Sequence, residues 1–377
     1  MGGFATNVFL PALPEIRTYF GVPIAAAQTT ISAYVIAFAA GILIAGPLSD
    51  RFGRRPLILA GMSIFAVGSV VAATALSLPW LVVGRVIQAI GAAAGVTVAR
   101  ATIGDISEDH EVASRMALMT MAIVVSNATA PYIGGVIADT LGWHADFWLL
   151  LVLGIAIAVA CWHLLPETRK ASHGEFSVRQ LQRASVELLQ QPVFRKYIIQ
   201  ASAVYTVFLV FMAITPYVMA DAFHAPPTHF GLYSFVLAIG YFLGNMQVSK
   251  HARKPGADRL PAIGLWLQFA SAVAALLLQL AGVDHPLAMF GPMLPLTFAQ
   301  GLSLPYITAR AVTLSPGYAG VASSLLGFSQ QAVAAVAVQS MGWAPTDSAI
   351  PVFIFCSLGS AVALLPMLVR DRRAWSS

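Results

Sequence analysis

The chain has 377 residues, 58% of them hydrophobic and only 10% charged, with a formal net charge of +5. A soluble domain carries roughly 25% charged residues, so this composition excludes a globule covered by water. The apolar residues fall in blocks of about twenty, each long enough to cross a hydrocarbon core of roughly 30 Å as a helix. The expected fold class is an all-α polytopic membrane protein.

In chain order, the first block is short. Met1 to Leu13 makes only about 20 Å of helix at ~1.5 Å per residue, and it has neither a basic n-region nor a cleavage site of a signal peptide. It reads as the outer half of a truncated first span. Further blocks follow at 28–49, 56–76, 79–103, 113–138 and 145–165, then after a polar stretch at 196–220, 229–249, 260–281, 286–308, 318–342 and 349–369. This predicts twelve spans: an N-terminal six-helix bundle over 1–165, a cytoplasmic linker over 166–195, a C-terminal six-helix bundle over 196–371 and a tail over 372–377. Within the linker, Val178, Leu181, Val186, Leu188 and Leu189 alternate with Arg179, Arg183 and Glu187. That pattern fits a short amphipathic helix lying along the membrane surface, or a plain linker. Cys161 and Cys356 both lie inside apolar blocks and read as buried small hydrophobes rather than a disulfide or metal site.

The charges orient the spans. With the loop holding Arg51, Arg54 and Arg55 in the cytoplasm, every Lys and Arg except Arg17 and Arg85 falls at a cytoplasmic end or loop. The reverse orientation would violate the positive-inside bias almost everywhere. Both termini are then cytoplasmic, and the basic excess reflects topology rather than affinity for nucleic acid. The halves also repeat weakly. Pro11, Pro14, Tyr19-Phe20, Pro23, a span and Gly46 before a basic loop are echoed by Pro216, Ala222-Phe223, Pro226-Pro227, a span and Gly244 before Lys250. Two similar bundles with a substrate site between them at mid-membrane are a common transporter plan.

Gly46-Pro-Leu-Ser-Asp50-Arg51-Phe-Gly53-Arg54-Arg55 resembles G-x-L-a-D-R-x-G-R-R/K, the signature between spans 2 and 3 of the major facilitator superfamily. The resemblance implies two six-helix bundles and a loop that latches the outward-facing state by docking against the second bundle. A topogenic basic loop is the plainer reading. Leu81-Val-Val-Gly-Arg85-Val-Ile-Gln88-Ala-Ile-Gly91 resembles the same superfamily's span-4 motif, with Ala89 where glycine is usual. Arg85 inside an apolar stretch costs on the order of 2.5–3.5 kcal/mol at mid-span, so it should face a wet cavity or a partner; snorkelling to the outer end is the alternative. Gln88 lies one turn along on the same face. The resemblance also implies that Asp105 comes within reach of Arg54; an ordinary helix-end acid is the other reading.

Ser126-Asn127-Ala-Thr-Ala-Pro131-Tyr132-Ile-Gly134-Gly135 resembles g-x-x-x-G-P-x-x-G-G, which that superfamily's antiporters carry. Pro131, Gly134 and Gly135 match it, as a kink and a close-packing face; generic Gly/Pro packing would look the same. Phe9-Leu-Pro-Ala-Leu-Pro14 resembles span 1 of the bicyclomycin/chloramphenicol-resistance-type drug:proton antiporters. There an aspartate stands four residues before the first proline; here the position is Asn7, which cannot titrate. No Asp or Glu is expected inside any of the twelve spans, so the usual protonation site is missing; Asp221, at the outer end of span 7, reads as an interfacial charge or as a weak substitute for it. Arg85, Gln88, Asn7, Asn127 and Tyr132 are candidates for a substrate cavity or for coupling.

With no P-loop, metal-ligand helix or nucleophile–base set in the sequence, neither an enzyme nor a resident cofactor is expected. The reading is a monomeric exporter of small amphipathic molecules in the lipid bilayer of a bacterial inner membrane, with protons as the counter-transported ion and no nucleic acid as partner. A metabolite transporter of the same superfamily without proton antiport, or a truncated non-transporting membrane protein, remains the alternative.

Overall fold

The computed structural model describes residues 1–107, 109–168, 178–251, 259–314 and 318–368. The tail at 372–377, the end of the C-terminal bundle beyond 368 and the linker stretch 169–177 lie outside the described residues. Every regular element among those described is helical. The first element is broken into α1 (Gly2–Asn7), a 3₁₀ turn (Leu10–Ala12) and α2 (Leu13–Phe20). Pro11 and Pro14 each stand at the start of the piece they open, where a missing N–H costs a helix nothing.

Then follow α3 (Ile24–Phe52), α4 (Arg54–Ala73), α5 (Leu78–Ile106), α6 (Asp109–Leu141), α7 (His144–Leu164), α8 (Val178–Gln190), α9 (Pro192–Asp221) and α10 (Pro227–His251). The last five are α11 (Leu260–Leu280), α12 (Pro286–Phe290), α13 (Met293–Thr313), α14 (Ala319–Met341) and α15 (Ile350–Leu368). Eleven stretches among the described residues are long and apolar enough to cross a membrane, α12 and α13 together making one of them. They coincide with the eleven full-length blocks read from the sequence. Exposed Ile64 and Val67 on α4, and Trp148, Val152 and Ile155 on α7, leave apolar surface that water would not tolerate and lipid would.

Two units make up the chain. The first comprises Met1–Val178, Met212–Val236 and Ala335–Asp347. In it α4 packs against α5 through glycines. A Cβ on Gly68 would meet the Gln88 backbone, and one on Gly91 would meet the Phe65 backbone. Such small-residue seams hold helices together in lipid, where the hydrophobic effect gives no help.

The second unit comprises Arg179–Phe211, Leu237–Ala334 and Ser348–Ser377. Amides tie its helices: Gln300 Nε2 donates to the Val204 carbonyl (2.8 Å), Gln268 Nε2 to Ser360 Oγ (3.1 Å) and Gln200 Nε2 to the Ala363 carbonyl (3.3 Å). The apolar stripe of α8 is anchored here. Leu188 is fully buried in a cluster with Phe194, Leu265, Ile307 and Leu326, and Glu187 accepts hydrogen bonds from Arg183 and Tyr318. Leu188 of the amphipathic stripe is thus buried in protein, while Val186 and Leu189 stay exposed.

Candidate functional site

Three groups of polar residues and one glycine–proline seam stand out in the first unit. One polar group lies where α3 turns into α4. Gly53 makes that turn alone, at φ 99° and ψ 159°, a conformation costly for any residue with a Cβ. Arg54 is the hub. Its Nε donates to Asp105 Oδ2 at 2.8 Å, and its Nη1 to Asp50 Oδ1 and Ser49 Oγ, both at 2.5 Å. The Arg54 and Asp105 side chains are only 11% and 16% exposed, against 56% for Asp50. The Arg54–Asp105 contact is therefore the shielded, charge-assisted one, of the kind that contributes about 1.5–3 kcal/mol. The Asp50 contact is screened, in the range of about 0–1 kcal/mol.

The Glu167 carboxylate caps α4, accepting from the backbone N–H groups of Arg54 (2.9 Å) and Arg55 (3.2 Å). Those N–H groups lack intrahelical partners, and the helix dipole favours an anion there. Arg55 Nη2 donates to the Trp162 carbonyl (2.6 Å), with its guanidinium 5.4 Å from that residue's ring centroid. Arg51 lies 5.3 Å from the ring of Phe52, and Gly46 offers its carbonyl to Ser49 Oγ (2.7 Å). The network ties α3, α4, α5 and the segment after α7 at one end of the unit.

The second group centres on Arg85, which is fully buried. Nη1 donates to the Ala5 carbonyl (3.1 Å) and to Gln88 Oε1 (3.0 Å), and Nε reaches the Thr30 carbonyl at 3.5 Å. The guanidinium carbon lies 4.0 Å from the Tyr34 ring centroid and 4.8 Å from that of Phe9. These inward contacts replace the snorkelling alternative: hydrogen bonds and ring faces, rather than the membrane surface, compensate the charge. Gln88 Nε2 passes the chain of bonds to Ser69 Oγ at 2.8 Å.

Asp146 corrects the expectation that the carboxylates stand outside the apolar interior. It is the second residue of the expected 145–165 block, in the first turn of α7, and is fully buried. No group among the described residues donates to either of its oxygens, and Arg85 Nη2 is likewise without an acceptor. Trp143 and Phe147, also fully buried, flank it.

The seam is the Pro131-Tyr-Ile-Gly-Gly135 stretch. Pro131 lies inside α6, and its carbonyl abuts Gly231 of α10. A Cβ on Gly134 would run into the Val8 carbonyl, and one on Gly135 into the Pro227 carbonyl. Those obstacles are backbone and cannot swing aside. Gly134→Ala is expected to destabilise the protein by about 1–3 kcal/mol through overpacking, seen as a lowered melting temperature in detergent. Gly104→Ala, where a Cβ meets nothing, serves as the control.

At the end opposite the 51–55 loop lies the third polar group. Arg17 grips Asp221 in a two-pronged pair, Nη1 to Oδ2 and Nη2 to Oδ1, both 2.7 Å, and Thr346 Oγ1 donates to the same carboxylate at 2.6 Å. Hydrogen bonding to Asp221 raises the Arg17 guanidinium above its ordinary value against partial burial. Asp221 is thus a paired group, not a lone interfacial charge. Beside it a cavity of about 540 Å³ is lined by Glu15, Arg17, Asp139 and Asp221 among prolines and apolar side chains. Asp139 accepts from the Thr228 backbone N–H (2.9 Å) and hydroxyl. Glu15 Oε2 accepts from the Trp143 N–H at 3.1 Å. Burial lifts the Glu15 carboxyl above the usual range, the Trp143 hydrogen bond opposes this, and the charge of Asp139 adds to it.

Arg85 and Gln88 are in contact, whereas Asn7 donates to the Gly3 carbonyl of its own helix (2.9 Å). Asn127 stands close against Gly3, and Tyr132 is 44% exposed. Sequence reasoning did not single out Glu15, Asp146 or the capping role of Glu167. For Glu167 the signal was the Leu165-Pro-Glu-Thr stretch; for Asp146 it was an acid inside a predicted span.

Comparison with known proteins places this architecture. Residues 1–338 match the family described as the Major Facilitator Superfamily. A bicyclomycin resistance protein homolog of Haemophilus influenzae is 26% identical over 367 residues, covering 96% of this chain and 90% of the relative. A chloramphenicol resistance protein of Pseudomonas aeruginosa is 27% identical, covering 97% and 86%. Among solved structures, a D-xylose–proton symporter superposes with a TM-score of 0.76 at 17% identity, over 97% of this chain and 94% of that one. A multi-pass transporter rather than an enzyme, the chain belongs to the Major Facilitator Superfamily.

Proposed function

We propose that this transporter exports small, drug-like amphipathic molecules across a bacterial inner membrane by alternating access, in exchange for protons. The observation that carries the reading is the near full-length match to relatives named for bicyclomycin and chloramphenicol resistance. The charge distribution supports an orientation with the 51–55 loop and both termini in the cytoplasm. In that orientation the Arg54 network is a cytoplasmic latch that breaks and re-forms as the transporter cycles, with Asp50, Arg51, Gly53, Arg55 and Asp105 as its parts. The Arg17–Asp221–Thr346 cluster is its counterpart at the outer end. Pro131, Gly134 and Gly135 form the packing seam. The molecule works as a monomer in the bilayer.

Expression in an efflux-deficient bacterial host tests the reading. Growth in raised concentrations of chloramphenicol or bicyclomycin, with lowered cellular accumulation of the drug, is the expected outcome. No change for either drug would remove the drug-export reading. Asn7 favours a second reading, export or uptake of a metabolite without proton exchange. Substrate flux through vesicles that persists unchanged when the pH gradient is collapsed would support it.

A further inference from the structure

Asp146 is a fully buried acid without a partner in the first unit. An ionised carboxylate in that condition is costly, so the site tolerates a charge there only when something answers it. The available answer is Arg85, whose Nη2 is also without a partner. The Arg85 guanidinium carbon lies 6.0 Å from the ring centroid of Phe147, the residue after Asp146, and among the ion pairs of the described residues the two do not form one. Arg85 is held away by the Ala5 carbonyl of α1, by Gln88 and by the faces of Tyr34 and Phe9.

The charged surroundings of Asp146 are few. Glu15 from α2 reaches the backbone at the start of its helix, and Arg85 from α5 approaches the ring of the following residue. His144 stands two residues away on its own helix, Tyr34 of α3 lies against Arg85, and Asp139 of α6 acts on Glu15. The nearby end of α4, Ala66-Val-Gly-Ser-Val-Val-Ala-Ala73, has no titratable side chain. Glu15 also lines the 540 Å³ cavity and bonds the Trp143 N–H, three residues from Asp146. A carboxyl at the cavity wall is therefore bonded to the backbone three residues before the buried one.

We propose that Asp146 carries the exchanged proton in this chain, taken up by way of Glu15 from the cavity, and that Arg85 reads its charge. The step is a proton transfer only. The Asp146 O–H bond breaks, its electron pair stays on the oxygen, the proton leaves to water on the side then open, and Arg85 remains a guanidinium throughout. With Asp146 neutral, Arg85 stays on the Ala5 carbonyl and Gln88. With Asp146 ionised, the free Nη2 swings to the carboxylate and loosens the tie between α5 and the first element. The charge state of one side chain thereby sets a helix–helix contact. The assignment rests on the proton-antiport reading above, with the titrating acid on α7 rather than at Asn7.

Two measurements on the full chain test it. In the purified protein without substrate, infrared difference spectra over a pH titration are expected to contain a buried carboxylic C=O band. That band should be lost in Asp146→Asn and displaced in Asp146→Glu. An unchanged band in Asp146→Asn overturns the proposal, whatever the substrate. In everted vesicles with labelled chloramphenicol as probe, wild type should accumulate drug when the lumen is acid. Asp146→Asn should lose that accumulation, keep drug-for-drug counterflow, and have it restored by Asp146→Glu. Accumulation that survives in Asp146→Asn with wild-type pH dependence overturns the assignment and leaves antiport standing. Wild-type counterflow without any response to the pH gradient overturns antiport itself, and the proposal with it. If wild type does not carry chloramphenicol, the substrate reading fails and the infrared arm alone decides on Asp146.

Discussion

Replacing Arg85 by alanine is expected to abolish transport and lower the melting temperature of the detergent-purified protein, whereas Arg85→Met abolishes transport alone. The alanine variant loses two well-formed charged hydrogen bonds, to the Ala5 carbonyl and Gln88, each of a kind that contributes about 1.5–3 kcal/mol. It loses the Tyr34 ring contact as well and leaves a cavity where a fully buried side chain stood. Removing a desolvated charge offsets part of this, because buried charges are expensive to hold. The net cost is about 2–4 kcal/mol. Methionine fills most of the same space without the charge, and replacing a buried ion by a well-packed apolar group is often neutral or stabilising. A folded, stable Arg85→Met that transports at the wild-type rate would show that the guanidinium is structural only. Paired melting curves and vesicle uptake on the two variants give the result.

Arg54→Ala and Asp50→Asn should each slow transport by roughly tenfold or more, equal to about 1.4 kcal/mol on the limiting step, while insertion into the membrane stays normal. The geometry makes the two informative together. Arg54 holds a shielded bond to Asp105 and an exposed one to Asp50, so Arg54→Ala disturbs stability as well as the cycle. Asp50→Asn removes only a screened contact in the range of about 0–1 kcal/mol, too little to unfold anything. A collapse of flux in Asp50→Asn with an unchanged melting temperature would therefore trace to the cycle rather than to folding. Arg54→Lys should restore part of the activity, since one ammonium cannot reproduce the fork that reaches Asp105, Asp50 and Ser49 together. Wild-type flux in both Asp50→Asn and Asp105→Asn would remove the latch from the proposed mechanism. Size-exclusion profiles report insertion; initial uptake rates report the cycle.

What was readable in the chain divides by the range of the interaction. The eleven long helices were readable because a helix in lipid must satisfy its own backbone. A run of about twenty apolar residues then has one solution, whatever its neighbours do. The block at 286–308 is the partial exception: Gly291 and Pro292 divide it into α12 and α13. The turn at Gly53 was readable too, since glycine, flanking charges and a proline at 56 are contiguous signals.

The functional contacts were not of that kind. Arg17 meets Asp221 across 204 positions, and Arg54 meets Glu167 across 113. Composition and periodicity say nothing about pairings so distant. Asp146 shows the difference most sharply. Its place inside the 145–165 block marked an acid near a span end, and one-dimensional position could not say whether it is enclosed. Burial is decided by what the packed chain lays around a residue, here Trp143 and Phe147 with Phe20 and Phe9 of the first element packed against them, so only the packed chain turns that acid from an end charge into an enclosed one. The helical class, the spans and the family resemblance were legible in the chain alone, because each follows from local hydrophobicity or a contiguous motif. The tertiary structure alone decided which charges are shielded, which are paired and which are left waiting for a partner, because desolvation and hydrogen bonding depend on neighbours that the chain order does not name.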